Sequence, residues 1–168
     1  EDTRIGSIRD IFWVPMSEVP AKLRNKKPLL AWALNFETPP APAVKRTKAG
    51  EKALTDALAA MKTLAGKIGK SPRAQKDLAG RTHASGIKTG GGDFRLLVAR
   101  SGIRVEAGLP KKPDFVMVTK DPGVFTRWVA DGSLTDAAVE GHLWLPHKEA
   151  FGVLPFLDRL PRSVRRDV

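Results

Sequence analysis

Three histidines are the first residues to weigh, because imidazole serves both proton transfer and metal ligation near neutral pH. His83 stands alone ahead of a loop, and His142 and His147 lie five apart with only Glu140 and Glu149 as neighbouring carboxylates. A metal centre needs three or four converging ligands, and a five-residue step across a strand sends the two side chains to different faces. No metal site is expected. Cysteine is absent, which removes disulfides, thiolate zinc sites, iron–sulfur ligation and thiol nucleophiles together. Thr89-Gly90-Gly91-Gly92 has the composition of a phosphate-cradling loop, but such a loop follows a strand and opens a helix. This one precedes an alternating apolar run, so a hairpin loop is expected instead. No Ser/His/Asp set and no nucleophile elbow has supporting context, so the chain reads as a non-enzyme needing no cofactor.

The elements that would position any site begin at Glu51. Leu54, Ala57/Leu58, Met61, Leu64/Ala65 and Ile68 recur at three and four residues, one apolar stripe of a helix, with Lys52, Asp56, Lys62 and Lys67 opposite. Gly69 supplies the stop. Phe94, Leu96 and Val98 alternate, Ser101-Gly102 marks a tight turn, and Ile103, Val105 and Ala107 alternate again with Arg104 and Glu106 pointing away, which is a hairpin. Phe115 to Val118 is apolar on both faces and reads as a more buried strand. Asp121-Pro122 opens a helix as N-cap and first residue, with Val124, Phe125, Trp128 and Val129 on its apolar face and Gly132 at its end. Ser133 with Asp136 resembles a capping box for a short helix stopping at Gly141. His142 to Leu145 reads as a last short strand, and Ala150 to Leu160 as a final helical piece despite Pro155.

Residues 1–50 differ in kind. Pro15, Pro20, Pro28, Pro39, Pro40 and Pro42 recur too often for long helices, and the apolar pieces Ile11–Val14 and Leu29–Leu34 are too fragmented for a core. This segment reads as a Pro-rich basic arm and linker that either docks on other protein subunits or wraps its own domain. Phe12, Trp13, Leu29, Trp32 and Phe36 are its candidate anchors, and Thr38 to Ala43 is a stiff polyproline-type linker.

The charge is uneven. The chain of 168 residues carries +11 with a pI near 10.3, yet residues 93–160 hold nine Lys/Arg against nine Asp/Glu. The basicity sits in the flanks, including a basic tail over 161–168. Lys22, Arg24, Lys26, Lys27, Lys45, Arg46 and Lys48 are candidate contacts to something anionic: a membrane surface, an acidic partner protein or nucleic acid. No base-reading module accompanies them, and each would add about 1 kcal/mol beside anionic lipid. No apolar run approaches the roughly 18 residues that span a bilayer. The first residue is Glu1 rather than Met, which with the basic composition leads to the expectation of a mitochondrial protein whose presequence has been removed.

Three stretches carry a family resemblance: Pro113 to Thr119, then Val124-Phe125 through Trp128 to Gly132, then Leu134 to Leu143. Their order resembles the sterol carrier protein type-two family over roughly the last hundred residues. The resemblance implies a domain over 51–160 of the α+β class, a twisted, mostly antiparallel five-stranded sheet with helices on one face. It also implies an apolar tunnel for lipids or acyl chains, lined here by Phe94, Leu96, Val98, Val105, Phe125, Trp128, Val129, Phe151 and Leu154. Departures point to a filled tunnel: Pro146-His147-Lys148 interrupts the last strand, and bulky Trp144, Phe151 and Phe156 occupy space a lipid would need. The function expected first is a non-catalytic accessory subunit of a large, mitochondrial assembly, such as ATP synthase, another membrane complex or, with RNA contacts, the mitochondrial ribosome. The alternative is a lipid or acyl-chain binding and transfer protein, with bound lipid in its tunnel.

Overall fold

The computed structural model describes residues 40–167. Helix α1 (Lys48–Ile68) begins three residues before the expected start, because Thr47 caps it: the Thr47 hydroxyl accepts from the Gly50 N–H at 2.9 Å. Ala57, Met61, Leu64 and Ile68 form its buried stripe, which is the three-and-four spacing of the sequence. Helix α2 (Pro72–Leu78) follows, with Ser71 as N-cap and proline in its first turn. Of these seven residues only Ala74 and Leu78 are buried.

Strands β1 (His83–Thr89), β2 (Gly92–Ala99), β3 (Gly102–Ala107) and β4 (Phe115–Thr119) form one sheet in the order β3-β2-β1-β4. β1–β2 and β2–β3 are antiparallel, while β1 and β4 run parallel from Ser85↔Phe115 to Thr89↔Thr119. The α+β class holds, but among the described residues the sheet is mixed and four-stranded rather than five-stranded and mostly antiparallel.

The missing strand has a local cause. Residues 142–145 touch the sheet through a single antiparallel bridge, Val118↔Trp144. Gly141 takes φ +82°, and the next two N–H groups, of His142 and Leu143, turn back to the Ala137 carbonyl at 2.8 and 3.1 Å. The His142 carbonyl accepts from the Thr119 hydroxyl at 2.8 Å. Backbone groups committed to a helix C-terminus and a side chain cannot also build a ladder.

One face of the sheet, bearing Phe94, Leu96, Val98, Ile103, Val105, Ile87, Phe115 and Met117, is buried. Against it gather α1, α3 (Gly123–Ala130), α4 (Leu134–Val139) and α6 (Leu154–Arg166), with the single turn α5 (Lys148–Phe151) before α6. Asp121 does not cap α3 at the expected position: the helix starts after Pro122, and the Asp121 carboxylate accepts from the Gly123 N–H at 2.8 Å. Ser133 caps α4 as expected, its hydroxyl accepting from the Asp136 N–H at 3.1 Å.

The final helix runs six residues beyond Leu160. Residues 161–166, expected as a basic tail, are its last turns, with Pro161 and Val164 buried. Asp167 then ties this end to α2: it accepts from the Ser71 hydroxyl at 2.6 Å and the Arg73 N–H at 3.0 Å, and pairs with the Arg73 guanidinium at 2.9 Å. The Ser71 hydroxyl, then the Arg73 backbone and charge, hold its carboxyl below the usual carboxylate range.

Candidate binding groove

Among the described residues no three His, Cys, Asp or Glu side chains converge as a metal site would require. The Gly90-Gly91 segment is the tight turn between β1 and β2, with the Thr89 hydroxyl donating to the Gly92 carbonyl at 2.7 Å and accepting from the Gly91 N–H at 3.1 Å. Gly50 in the first turn of α1 lies directly on it: a Cβ there would overlap the Gly90 carbonyl, and one at Gly91 would overlap the Gly50 carbonyl. The glycines let a helix touch a turn backbone to backbone. Their job is a close approach.

Phe94, Leu96, Val98, Val105, Phe125, Trp128 and Leu154 are all buried in one contiguous cluster, and Val129 and Phe151 pack against it partly buried. The residues proposed to line a tunnel are therefore brought together. Their side chains meet one another: the Phe94 and Phe125 rings stand edge to face with centroids 5.1 Å apart. One polar atom in this cluster has no partner among the described residues, the buried indole N–H of Trp128.

The opposite face of the sheet is half-exposed, and it is there that an apolar groove opens. β1 contributes little bulk, since Ala84, Gly86 and Lys88 alternate on this side. Gly86 is needed because Leu109, Pro110 and Val116 already crowd its position; a Cβ would lie 3.1 Å from Leu109 Cδ2. Val116 and Val118 of β4 form the floor. Ala41, Pro42 and Val44 of the segment before α1 form one wall, and Trp144 and Pro146 another; the groove is open to solvent, with a volume of about 700 Å³. A smaller, more polar recess of about 190 Å³ adjoins it, sharing Pro42 and Val118 and adding Lys120, Asp121 and His142. Volumes of 300–1,000 Å³ with mostly apolar walls are those of ligand sites. Sequence reading missed this groove. The signal present is the two-sided apolar character of Phe115–Val118, which reads as burial, while Pro42 falls in the expected linker.

The charges around the groove are unequal in their commitments. Asp114 accepts from the Ala84 N–H at 2.7 Å and Asp121 pairs with Arg127 at 2.9 Å. Lys88 and Lys120 are exposed and enter no ion pair among the described residues. Lys45, Arg46 and Lys48 are exposed at the start of α1. Phe12, Trp13, Leu29, Trp32 and Phe36, with Lys22, Arg24, Lys26 and Lys27, lie outside the described residues.

His83, expected ahead of a loop, is the first residue of strand β1. Its ring lies 6.1 Å from both Phe115 and Phe156, stacked on the first and edge-on to the second. Its Nε2 is buried with no hydrogen-bond partner among the described residues. Burial lowers its pKa below the usual 6.5, against the opposing pull of Asp114, and nearby Arg81 adds to the lowering.

No protein-family model and no curated protein matches the chain. Among solved structures it is similar to a conserved hypothetical protein from Thermus thermophilus, described as possibly a sterol carrier protein. The two share 13% identity over 76% of this chain and 94% of that one, at a TM-score of 0.38.

Proposed function

We propose that this chain is a non-catalytic docking domain, an accessory subunit of a larger assembly, and that the groove on the open face of its sheet is where a partner sits. The observation that supports this reading is the division of labour between the two faces. The side chains that would have walled a tunnel pack against each other on the helix side, while apolar surface stays open on the other side. The mitochondrial setting expected from composition belongs to the same proposal, as do anionic neighbours for Lys45, Arg46 and Lys48. The test is purification of the full chain from its native source under mild conditions, followed by native mass spectrometry. Recovery in a stoichiometric complex is the expected result; recovery as a free monomer sinks the reading.

A second reading has its own observation. The apolar groove continues into a polar recess beside Lys120, a layout that suits an amphiphile with its chain in one part and its head in the other. A free monomer carrying co-purified lipid or fatty acid would establish this carrier reading in place of the first.

A further inference from the structure

Cations that are far apart in the sequence stand together at one end of the sheet. The Thr47 N–H donates to the Gly90 carbonyl at 2.9 Å, which pins the start of α1 to the β1–β2 turn. The same turn lies against the chain that leaves β4: a Cβ on Gly90 would fall on the Lys120 carbonyl and stand 3.6 Å from the Lys45 carbonyl. A Cβ on Gly92 would stand 3.9 Å from the Arg46 Cζ. Val44 lines the groove together with Lys88, and Pro42 lines the smaller recess together with Lys120. Lys45, Arg46, Lys48, Lys88 and Lys120 are all exposed, and none enters an ion pair among the described residues. The carboxylates nearby are fewer. Glu51 lies in the first turn of α1, Asp93 sits opposite Lys88 in the sheet, and Asp121 is already paired with Arg127. Through this cluster runs an apolar strip, Ala41-Pro42-Ala43-Val44, with both alanines exposed and Pro42 and Val44 half-buried.

Cations gathered without partners repel one another, and an anionic surface relieves that repulsion. A nucleic-acid backbone matches the charges and leaves the apolar strip unmatched. An acidic protein must space its carboxylates to meet cations fixed by three separate segments of chain. An anionic bilayer supplies phosphates that move laterally to each cation and, beneath them, an apolar layer for the strip. All but Arg46 are lysines, compact charges on flexible stems that suit mobile headgroups.

We infer that this end of the domain rests on a membrane surface rich in anionic phospholipid, with Lys45, Arg46, Lys48, Lys88 and Lys120 among the phosphates and residues 41–44 at the boundary of the acyl chains. This rests on the docking reading above for its anionic neighbour, which it identifies as lipid, and adds that lipid contact to the protein one.

The experiment sediments the full chain with phosphatidylcholine vesicles that contain or lack phosphatidylglycerol. The expected result is binding to the mixed vesicles alone, weakened about twentyfold or more in the Lys88→Gln/Lys120→Gln double variant, at about fivefold per cation removed. The chain has no cysteine, so Ala43→Cys accepts a single environment-sensitive fluorophore, whose emission should move to the blue on the vesicles. The same label on Ser101→Cys, in the β2–β3 turn at the far end of the strands, should not move. Undiminished binding of the double variant overturns the inference. So do equal binding to vesicles without phosphatidylglycerol and a silent label at position 43 on vesicles that hold the chain. Binding of a short RNA duplex at physiological salt, lost in the double variant and without binding of vesicles, assigns the surface to nucleic acid. The same result with a glutamate-rich peptide assigns it to protein, and each overturns the inference. If the native complex forms while the chain ignores the vesicles, this inference fails and the docking reading stands. Vesicle binding by a chain that purifies as a free monomer upholds the lipid contact and sinks the docking reading.

Discussion

Asp158 is a carboxylate in a place where an apolar residue would be the ordinary choice, 4% exposed on α6. It accepts from the Leu134 and Thr135 N–H groups at 2.7 and 3.1 Å and from the Ser133 and Thr135 hydroxyls at 2.8 and 2.7 Å. It therefore satisfies the orphan donors at the start of α4, which a six-residue helix cannot satisfy internally. Asp158→Ala leaves those donors unpaired in the interior. With about 1–3 kcal/mol for a buried donor stripped of its partner, the expected loss is about 3 kcal/mol, measured as a fall in the urea midpoint at unchanged slope. Asp158→Asn keeps one acceptor and loses less. His83 makes the second prediction at this scale. Its folded pKa is depressed, so between that value and 6.5 the unfolded chain binds a proton that the folded chain refuses. Stability is then full above pH 6.5 and declines as pH falls through 6.5 toward the folded value, with a slope of at most about 1.4 kcal/mol per pH unit. The difference in urea midpoint between the wild type and His83→Gln, followed from pH 8 to pH 5, should shrink on the acid side. A constant difference would refute it.

At the scale of elements, α1 contains two glycines with opposite roles. Gly50 meets the β1–β2 turn, and Gly66 has nothing within 4 Å of where its Cβ would stand. Gly66→Ala is expected to raise stability by about 0.5–1 kcal/mol through helix propensity alone. Gly50→Ala is expected to lower it by several times that amount, because backbone atoms and not flexible side-chain ends stand in the way. Thermal unfolding of the two variants, side by side, gives shifts of opposite sign. The same helix shows what sequence can convey: its apolar stripe recurs at five positions over about four turns, and the β2–β3 hairpin repeats its alternation twice, so both were legible. β1 was not. His83-Ala84-Ser85-Gly86-Ile87-Lys88-Thr89 has one large apolar residue, since a strand between two neighbours is buried by them and needs little bulk of its own. Residues 142–145 erred the other way, carrying strand-like residues whose backbone is claimed by Ala137 and Thr119. The groove was illegible for a related reason. Its floor and walls come from four separate stretches of chain, and nothing local marks Pro42, Leu109, Val116 and Trp144 as neighbours.

For the whole molecule, three exposed cations stand together just where the described chain enters its first helix. Lys45, Arg46 and Lys48 occupy the amino end of α1, where the helix dipole is itself positive, so they add repulsion that an anionic neighbour would relieve. Reversing all three to Glu should weaken sedimentation with vesicles of anionic phospholipid by about two orders of magnitude at low salt, at roughly 1 kcal/mol per cation. Neutral vesicles should show no difference, and salt should erase the effect. The tie between α2 and the end of α6 also has a consequence in time. Ser71 and its acceptor Asp167 are separated by 96 residues. At synthesis rates of about 5–20 residues per second, the Ser71 hydroxyl leaves the ribosome roughly 5–20 s before the carboxylate it will bind. Until then α2 has no latch, and a nascent chain stalled short of residue 167 should expose the Pro72–Leu78 segment to protease that the released chain resists.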